Sequence, residues 1–389
     1  MLFVKPIILE RDYPMINITH VITGQKIGGA EMVLLRLLSQ MDPKRFSNTV
    51  ISLSGPGALG PKIRAKGIPF FELGLTSWST VPRTFFSLLK ALKQSCPAVL
   101  QTWLYHADLF GLLSGKLMHI PVIWNIRNSE VKRDRLSTSY FFMLKLLALL
   151  SGEPQAVIVN SSAGKVAHEE IGYHPKRWAL IPNGFDLDLF RPSSDAKQDV
   201  RSDLGLPLNT FLVGMVARYD PLKDHRNFIK AASILSREYP HVNYLLVGRG
   251  MTWNNEELAQ QIRIYGIEKK VHLMGERDDI PRITAAFDIA TSSSCSEGFP
   301  NVVGEAMCCK VPCVATDVGD SSSILGDAGF IVPPHNPEAL AEAWKILICE
   351  PDKLIVLGER GRKRIEENYC LLPIVNKYEN IYEEIANKK

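Results

Sequence analysis

Two glutamates in the second half of the chain stand where their side chains could bind a ligand. Glu297 and Glu305 are eight positions apart and are joined by a loop-type segment that contains Gly298, Pro300 and Asn301. The segment follows a buried-strand pattern and runs into an apolar helical pattern, so it joins a parallel strand to a helix. In doubly wound sheets that junction faces the ligand crevice. The N–H groups at a helix N-terminus favour phosphate, and both carboxylates could accept hydrogen bonds from a polyhydroxylated ligand.

Two cations follow the first strand pattern of the second half of the chain. Arg218 and Lys223 lie five positions apart across the turn at Pro221, so both can face the same side of the sheet. Arginine binds phosphate through a planar fork and lysine acts as a compact charge, so together they could neutralise a diphosphate leaving group. The alternative interpretation is a solvated loop that contains two basic residues.

Glycines end several of the strand patterns. Gly28 and Gly29 lie between the first strand and the first helix, where glycine lets a ligand approach the backbone. Gly24, Gly28 and Gly29 do not have the spacing of the G-x-G-x-x-G dinucleotide fingerprint, which disfavours a dehydrogenase. Gly248 ends another strand, and there we prefer a simple tight turn to a ligand site.

The composition is typical of a globular protein that works in a reducing compartment. A length of 389 residues suffices for about two domains. The formal charge of +4, from 45 basic and 41 acidic residues, is too balanced to predict nucleic acid as a partner. The seven cysteines form no C-x-x-C pair and no histidine joins them at metal-ligand spacing, so we expect reduced thiols and a cytoplasmic protein. No run of eighteen apolar residues occurs, so we expect no membrane-spanning helix.

Strand and helix patterns alternate along most of the chain, which predicts an α/β fold with two doubly wound parallel sheets. We expect a flexible extension at 1–14, a first domain at 15–190, a polar linker at 191–209 and a second domain at 210–370. The stretch 371–389 predicts a terminal helix that packs at the domain junction.

Several motifs, in order along the chain, resemble those of the retaining glycosyltransferases of family 4, which have the GT-B fold. The motifs are Glu297-Gly298-Phe299-Pro300-Asn301-Val302-Val303-Gly304-Glu305-Ala306-Met307, Leu180-Ile181-Pro182-Asn183-Gly184-Phe185-Asp186, Val216-Ala217-Arg218 with Lys223-Asp224, and Val311-Pro312-Cys313-Val314-Ala315-Thr316-Asp317-Val318-Gly319 with Asp320 in the place of a second glycine. The resemblance extends from about Ile16 to the last helix and is strongest over 180–332. It implies two Rossmann-like domains that face a central cleft.

The resemblance also implies a reaction. A hexose or N-acetylhexosamine would move from a nucleotide diphosphate sugar to a glycan or lipid-linked saccharide acceptor, in the synthesis of a surface polysaccharide or glycoconjugate. A UDP-linked donor is expected from its frequency in the family. The acceptor hydroxyl would attack on the face from which the phosphate departs, and the phosphate would accept its proton.

Each matching residue takes an implied role from the resemblance. Arg218 and Lys223 would hold the diphosphate, Glu297 the hydroxyls of the donor sugar, and Glu305 those of the ribose. Gly28 and Gly29 would close over the diphosphate. The other implied donor-binding residues are Gly248, Gly275, Arg277, Gly298, Phe299, Pro300, Asn301 and Val302, with the nucleotide base near Gly275 and Arg277.

One position departs from the family pattern. The family often has a histidine after the strand that corresponds to 122–126, near the reacting sugar, but here Arg127 follows that strand. Arg127 could offer a positive charge but could not act as a base, because guanidinium stays protonated. His106, after the preceding strand, is the nearest alternative, although a lone histidine at a strand end is more often structural.

No metal or other cofactor is expected. Asp186-Leu187-Asp188 has the D-x-D pattern that some glycosyltransferases use to hold a divalent ion. Because it lies in the linker motif and not after a strand, we interpret it as a coincidence.

Competing interpretations remain open at the sequence level. A GT-B epimerase or phosphorylase would share the fold but act without a saccharide acceptor, and a non-catalytic nucleotide-sugar-binding protein would lack transfer. The basic stretch 132–135 before the apolar run 140–150 could contact the inner membrane surface peripherally. A helix buried against the first sheet explains the apolar run at least as well, and we prefer it.

Overall fold

The computed structural model of the chain contains two parallel β-sheets, each flanked by helices. It describes residues 14–24, 29–57, 59–131, 133 and 136–388. Residues 1–13 of the extension expected at 1–14, Gly28, and three members of the basic stretch (Lys132, Asp134 and Arg135) therefore lie outside the described residues. The chain divides into two compact units, which we call unit 1 and unit 2. Unit 1 comprises the chain up to Asn125, Glu153–Ala156, and the chain from Tyr378 onward; unit 2 comprises Ile126–Gly152 and Val157–Lys377.

The first sheet has seven strands in the order β3-β2-β1-β4-β5-β6-β7. The strands are β1 Ile16–Ile22, β2 Phe46–Ser52, β3 Phe70–Glu72, β4 Val99–Trp103, β5 Val122–Ile126, β6 Ala156–Val159 and β7 Trp178–Leu180. The order reverses between β1 and β4, which pair in parallel. Ligands of doubly wound sheets bind at such a reversal, beyond the carboxyl ends of the strands.

The second sheet has six strands in the order β10-β9-β8-β11-β12-β13. The strands are β8 Phe211–Val216, β9 Val242–Val247, β10 Val271–Leu273, β11 Ile289–Ser292, β12 Cys313–Thr316 and β13 Gly329–Val332. All of their pairings are parallel, and the order reverses between β8 and β11. The sequence patterns predict strands at 211–217, 242–248, 270–274, 287–291, 312–315 and 329–332, and the observed strands agree with these to within two residues at each end. Each is a short buried apolar run between turn residues.

The helices are α1 Gly29–Gln40, α2 Leu59–Arg64, α3 Val81–Ser95, α4 Tyr105–Met118, α5 Thr138–Leu150, α6 Ser162–Glu170, α7 Ser194–Asp203, α8 His225–Glu238, α9 Glu256–Ile264, α10 Ile280–Ala285, α11 Asn301–Cys308, α12 Ser321–Leu325, α13 Pro337–Cys349, α14 Pro351–Asn368 and α15 Leu371–Ala386. Helices α1 to α12 lie in the connections between the strands, and α13 to α15 follow β13. The fold class expected from the alternating patterns, two Rossmann-like parallel sheets, is confirmed.

Helix α7 lies inside the stretch expected to be a polar linker. Ser193 caps its N-terminus by accepting a hydrogen bond from the Ala196 N–H at 3.1 Å. The buried residues of α7 are Ala196, Val200 and Arg201. The Arg201 guanidinium donates to Asp288 Oδ2 at 2.6 Å. Sequence periodicity missed α7 because one of its three buried residues is a charged side chain, Arg201, whose partner Asp288 is far away in the chain.

The last helix packs against the first sheet through its C-terminal half. Tyr378 stacks on Trp103 with ring centroids 6.5 Å apart, and the Tyr382 hydroxyl donates to the side chain of Gln101. Arg45, in the turn before β2, pairs with Glu379 and Glu383 of the same helix. Two fully buried tyrosines and this ion-pair cluster make residues from 378 onward part of the core of unit 1.

Candidate functional site

The loops that carry the predicted site follow the two strands at which the second sheet reverses its order. Arg218 and Lys223 follow β8, and Glu297 follows β11. These strands are direct neighbours, with Val213 opposite Ile289. Their loops are therefore brought together at the carboxyl edge, where α/β sheets bind ligands.

Lys223 and Glu297 form the closest contact between these loops. Lys223 Nζ lies 2.5 Å from Glu297 Oε1, and Ser294 Oγ donates to the same oxygen at 2.7 Å. The exposed fractions of the Lys223 and Glu297 side chains are 22% and 11%. A charge-assisted bond this short, in a partly buried setting, fixes the direction of both side chains.

Main-chain contacts hold the two loops in register. The Cys295 N–H donates to Leu222 O at 2.8 Å, and Ser293 Oγ donates to Lys223 O at 3.0 Å. Lys223 itself ends a short 3-10 turn, Pro221–Lys223, which Asp220 caps through the Leu222 N–H. Hydrogen bonds to Ser293 and Cys295 on one side, and the turn capped by Asp220 on the other, thus fix the backbone around Lys223.

Arg218 lies at the solvent edge of the same loop. Its guanidinium pairs with Asp220 Oδ2, with Nε at 3.0 Å and Nη2 at 2.9 Å, and its side chain is 49% exposed. Burial alone would raise the pKa of Asp220. Hydrogen bonds from the Leu222 N–H and Arg218, with the charges of Arg218 and Lys223, hold this pKa below its usual value. Asp220 therefore stays ionised and orients Arg218.

Helix α11 presents an N-terminus without a side-chain cap. Its cap residue is Pro300, which has no side chain that could accept the first N–H groups. Asn301, the first residue, accepts a hydrogen bond through Oδ1 from Asn183 Nδ2 at 2.6 Å. Such an end combines N–H donors with the positive end of the helix dipole, so it suits an anion.

Two stacked aromatic side chains, Phe185 and Phe299, support the loop before α11. Phe299 is buried and stacks on Phe185, with centroids 6.2 Å apart and planes at 25°. The Phe299 side chain thus belongs to the core, which leaves only its backbone for a ligand. A Cβ on Gly304 would fall 2.1 Å from the Phe185 ring, so this helix position accepts only glycine without movement. Glu305, in the second turn, is only 9% exposed.

Gly248 and Gly275 have structural roles at the neighbouring strand ends. Gly248 has a φ of +138°, and a Cβ there would lie 2.2 Å from Ala217 O. Its N–H donates to Gly275 O at 2.7 Å, and the Gly275 N–H donates to Met251 O at 2.8 Å. The preference for a tight turn at Gly248 thus has a physical basis in close backbone packing.

Arg277, which we expected to lie near the nucleotide base, pairs with Asp279. Its guanidinium donates twice to Asp279, at 2.8 and 3.0 Å, and Arg282 donates to the same carboxylate. The hydrogen bonds from Arg277 are the main cause of a lowered pKa of Asp279, about 2. Arg277 is therefore part of a surface ion-pair network beside the end of β10.

The residues predicted from the first half of the chain fall in different units. Gly29 begins α1 in unit 1 and is exposed, and His106 is an exposed residue in the first turn of α4 in the same unit. Arg127 follows β5 and belongs to unit 2. Leu104, which precedes α4, has a φ of +74°, a conformation that only glycine adopts without strain. Sequence reasoning missed this strained position.

The two halves of the chain match two family models. Residues 27–189 match the model described as Glycosyltransferase Family 4, and residues 210–350 match the model described as Glycosyl transferases group 1. The chain belongs to glycosyltransferase family 4. The family expected from the motifs is thereby confirmed.

Two relatives of this glycosyltransferase show how far the similarity extends. It is 22% identical to UDP-Gal:alpha-D-GlcNAc-diphosphoundecaprenol alpha-1,3-galactosyltransferase of Escherichia coli, over 98% of this chain and 100% of that protein. It is 31% identical to D-inositol 3-phosphate glycosyltransferase of Corynebacterium urealyticum, over 52% of this chain and 50% of that protein.

Solved structures show that the glycosyltransferase has the GT-B fold. HepE of Anabaena, solved in complex with UDP, matches with a TM-score of 0.84 at 23% identity, over 95% of this chain and 100% of that chain. Sucrose-phosphate synthase of Thermosynechococcus elongatus matches with a TM-score of 0.83 at 18% identity, over 96% and 100%.

Four residues that sequence reasoning did not assign support the site. Ser294 and Ser129 contact Glu297, Asn183 contacts Asn301, and the backbone N–H of Asp320 donates to Gly298 O. Asn183 and Asp320 lie inside motifs that resemble the family, and this resemblance could have indicated that they belong to the site. Ser129 had no signal, because its partner is 168 positions away.

Helix α5 is only half buried, contrary to the preferred interpretation of a core helix. Leu144, Leu147 and Ala148 are buried. Phe142, Leu146 and Leu149 on the other side are 66%, 43% and 76% exposed. The long apolar run therefore supplies both a core face and an exposed apolar face. In the part of the chain that the structure describes, no helix is long and apolar enough to cross a membrane.

Proposed function

We propose that the protein transfers a hexose or N-acetylhexosamine from a UDP-linked donor to a glycan or lipid-linked saccharide acceptor, with retention of configuration and without a metal. The reaction would serve the synthesis of a surface polysaccharide or glycoconjugate. The observation that carries the proposal is the Lys223–Glu297 pair, which lies at the reversal point of the second sheet. The Escherichia coli relative, whose name gives UDP-Gal as donor and a lipid diphosphate sugar as acceptor, supports this choice of substrates. So does the structure of HepE with UDP-glucose.

The two members of the pair suit the two ends of a donor. Lys223 and Glu297 hydrogen-bond to each other. A donor would offer its phosphate oxygens to Lys223 and its sugar hydroxyls to Glu297. Each side chain would thus exchange a protein partner for a ligand group of the same hydrogen-bonding character.

The protein would promote transfer mainly by stabilising charge on the leaving group. As the bond between the anomeric carbon and the phosphate oxygen breaks, negative charge develops on the diphosphate. Arg218, Lys223 and the uncapped N-terminus of α11 are donors suited to that charge. The acceptor oxygen forms the new bond on the same face, and its proton passes to the departing phosphate.

Retention and metal independence have direct tests. NMR of the product should show the same anomeric configuration as the donor sugar, and inversion would contradict the proposal. Turnover should survive EDTA. Asp186, of the D-x-D pattern, already accepts hydrogen bonds from the Asp188 and Leu189 N–H groups at 3.0 and 2.9 Å, which gives it a local role in the turn. Loss of turnover in EDTA, restored by a divalent ion, would contradict a metal-free reaction.

The exposed face of α5 supports a lipid-linked acceptor and peripheral contact with the inner face of the cytoplasmic membrane. Phe142, Leu146 and Leu149 line this face, and Lys145 and Arg133 lie exposed beside it. Aromatic and aliphatic side chains flanked by cations suit an anionic lipid surface. Phe142→Glu with Leu149→Glu should abolish flotation with anionic vesicles. Ile264→Glu, at an exposed isoleucine of α9, is the matched control.

A panel of nucleotide sugars tests the donor. The true donor should raise the melting temperature most, because only it gains contacts at both the diphosphate and the sugar. Incubation of that donor with and without saccharide acceptors then separates the activities. Release of UDP that depends on acceptor supports a transferase. Consumption without acceptor favours an epimerase or phosphorylase, and binding without consumption favours a non-catalytic protein.

A further inference from the structure

Asp320 joins two segments that are far apart in the sequence. It lies between β12 and α12, and its carboxylate accepts the Ser162 N–H at 2.8 Å and the Ala163 N–H at 3.0 Å. These are the first two N–H groups of α6, and Ser161 Oγ accepts the third, that of Gly164, at 3.0 Å. The first three N–H groups of α6 thus all have partners. Two of these three bonds come from a residue more than 150 positions away.

The backbone beside Asp320 is in direct contact with residues 295–300, which we call the donor loop. The Asp320 N–H donates to Gly298 O at 2.9 Å. Gly319 has a φ of +58°, and a Cβ there would lie 2.4 Å from Glu297 O and 2.7 Å from Gly298 O. The 319–320 backbone therefore fits against the Glu297–Gly298 peptide with no room for a larger residue at 319.

The carbonyl of Glu297 is held from a third segment. Ser129 Oγ donates to Glu297 O at 2.6 Å. The carboxylate of Glu297 meanwhile accepts from Lys223 and Ser294. Both carbonyls of the 297–298 segment and the Glu297 side chain are therefore hydrogen-bonded, so the direction of the carboxylate depends on where this peptide is held.

We propose that Asp320 is a positioning residue: it orients Glu297, and Glu297 binds the donor sugar. The carboxylate of Asp320 accepts hydrogen bonds from the start of α6, and its N–H donates to Gly298 O. These bonds fix the donor loop and thereby orient the Glu297 carboxylate. The proposal rests on the proposed function, in which Glu297 binds donor hydroxyls.

A carboxylate is the group that this position requires. It accepts two N–H bonds side by side, and its charge is favoured by the positive end of the α6 dipole. An asparagine would turn an NH₂ group toward one of the two amides. A glycine or alanine would leave both amides without their partner.

Binding of UDP and of UDP-sugars separates positioning from general damage. Asp320→Ala should leave the Kd for UDP within about twofold of wild type, because in the proposed function Glu297 binds the sugar and not the nucleotide. It should weaken the binding of UDP-glucose, UDP-galactose or UDP-N-acetylglucosamine, whichever binds the wild type best, by about tenfold. Asp320→Asn should lie between the two. Asp327→Ala, at an exposed aspartate after α12, is the control. Equal weakening of UDP and UDP-sugar, or no weakening of either, would overturn the proposal.

A double-variant cycle tests whether the effect passes through Glu297. If it does, Asp320→Ala combined with Glu297→Ala should bind the UDP-sugar no more weakly than Glu297→Ala alone. Additive losses would show that Asp320 acts independently of Glu297 and would overturn the proposal.

Hydrogen exchange without ligand tests the contact itself. Asp320→Ala should speed exchange in peptides that cover 161–164 and 295–300, whereas Asp327→Ala should not. Unchanged exchange in 295–300 would show that Asp320 does not hold the donor loop. If the wild type binds none of the UDP-sugars, the proposed function fails, and this exchange measurement still decides whether the contact exists.

Discussion

The Lys223–Glu297 contact combines strong electrostatics with partial access to solvent. Its distance of 2.5 Å and the low exposure of both side chains place it between a surface ion pair and a buried one. Surface pairs contribute little to stability, and buried pairs often break even against their desolvation. A pair of this kind is therefore better explained by ligand exchange than by stability.

Substitution of either residue should remove transfer and spare the fold. Lys223→Ala should lower kcat by about a hundredfold or more, because it removes a donor to the leaving diphosphate. Glu297→Ala should have a comparable effect through the donor sugar. Lys269→Ala, at an exposed lysine outside the site, serves as control. Steady-state turnover is the measurement, with circular dichroism to check folding. Turnover near wild type in either variant would rule out the assigned roles.

Helix α11 couples the site to the chain segment after the first sheet. Phe185 is fully buried, and its ring contacts Gly304 of α11 and stacks on Phe299. The backbone of Phe185 hydrogen-bonds to the connection between α14 and α15. The Phe185 N–H donates to Tyr369 O at 2.9 Å, and the Leu371 N–H donates to Phe185 O at 3.0 Å. One aromatic residue thus supports the helix whose N-terminus faces the predicted phosphate site.

Gly304→Ala should destabilise the protein by about 1–3 kcal/mol, because the added methyl group overpacks a filled contact with Phe185. Urea denaturation measures the free energy of unfolding. Gly55→Ala, where no atom lies within 4 Å of the added Cβ, should be close to neutral. A loss no larger than that of the control would show that the Phe185 contact is loose.

At the scale of the whole molecule, unit 1 depends on residues from the end of the chain. Tyr382→Ala should lower the free energy of unfolding by about 3–5 kcal/mol, because it empties a fully buried aromatic position and removes the partner of Gln101. Leu372→Ala, at an exposed leucine of the same helix, should have little effect. Limited proteolysis with mass spectrometry should show unit 1 cleaved first in the Tyr382 variant. Protection equal to wild type would contradict this dependence.

Three buried histidines predict an acid-sensitive fold. Burial is the main cause of lowered pKa values, about 4, for His20, His168 and His225. His20 accepts the Trp103 Nε1–H at Nδ1, which requires an unprotonated nitrogen there. Below pH about 6.5 the unfolded chain takes up protons that the folded chain refuses, so stability falls as pH drops toward 4. The loss is roughly 3 kcal/mol per histidine at pH 4.

Unfolding by urea between pH 4 and 7 measures this slope. His20→Gln should flatten it, since glutamine does not titrate. His241→Gln, at an exposed histidine, should leave it unchanged. A slope that is the same in both variants would remove His20 from the explanation.

The sequence was most informative where the structure is local. Strand positions and most helix positions in the second half follow from periodicity, although α10 and α12 were not predicted. The Arg218–Lys223 loop meets the Glu297 loop because β8 and β11 are neighbours, and this strand order was not predicted from the sequence. The contacts that complete the site were not predicted either. Ser129, Asp320 and Phe185 meet their partners only through the tertiary fold, and local patterns carry no information about such distant pairs.

The dependence of unit 1 on α15 has a consequence for synthesis on the ribosome. The strands β1 to β4 emerge first, but Tyr378 and Tyr382, which complete their core, emerge about 275 residues later. At a synthesis rate of roughly 5–20 residues per second, the delay is about 14–55 seconds. Unit 1 must therefore wait as a partly formed sheet, with the surface that α15 will cover still open. In a cell, this interval is when the nascent chain most needs protection by chaperones.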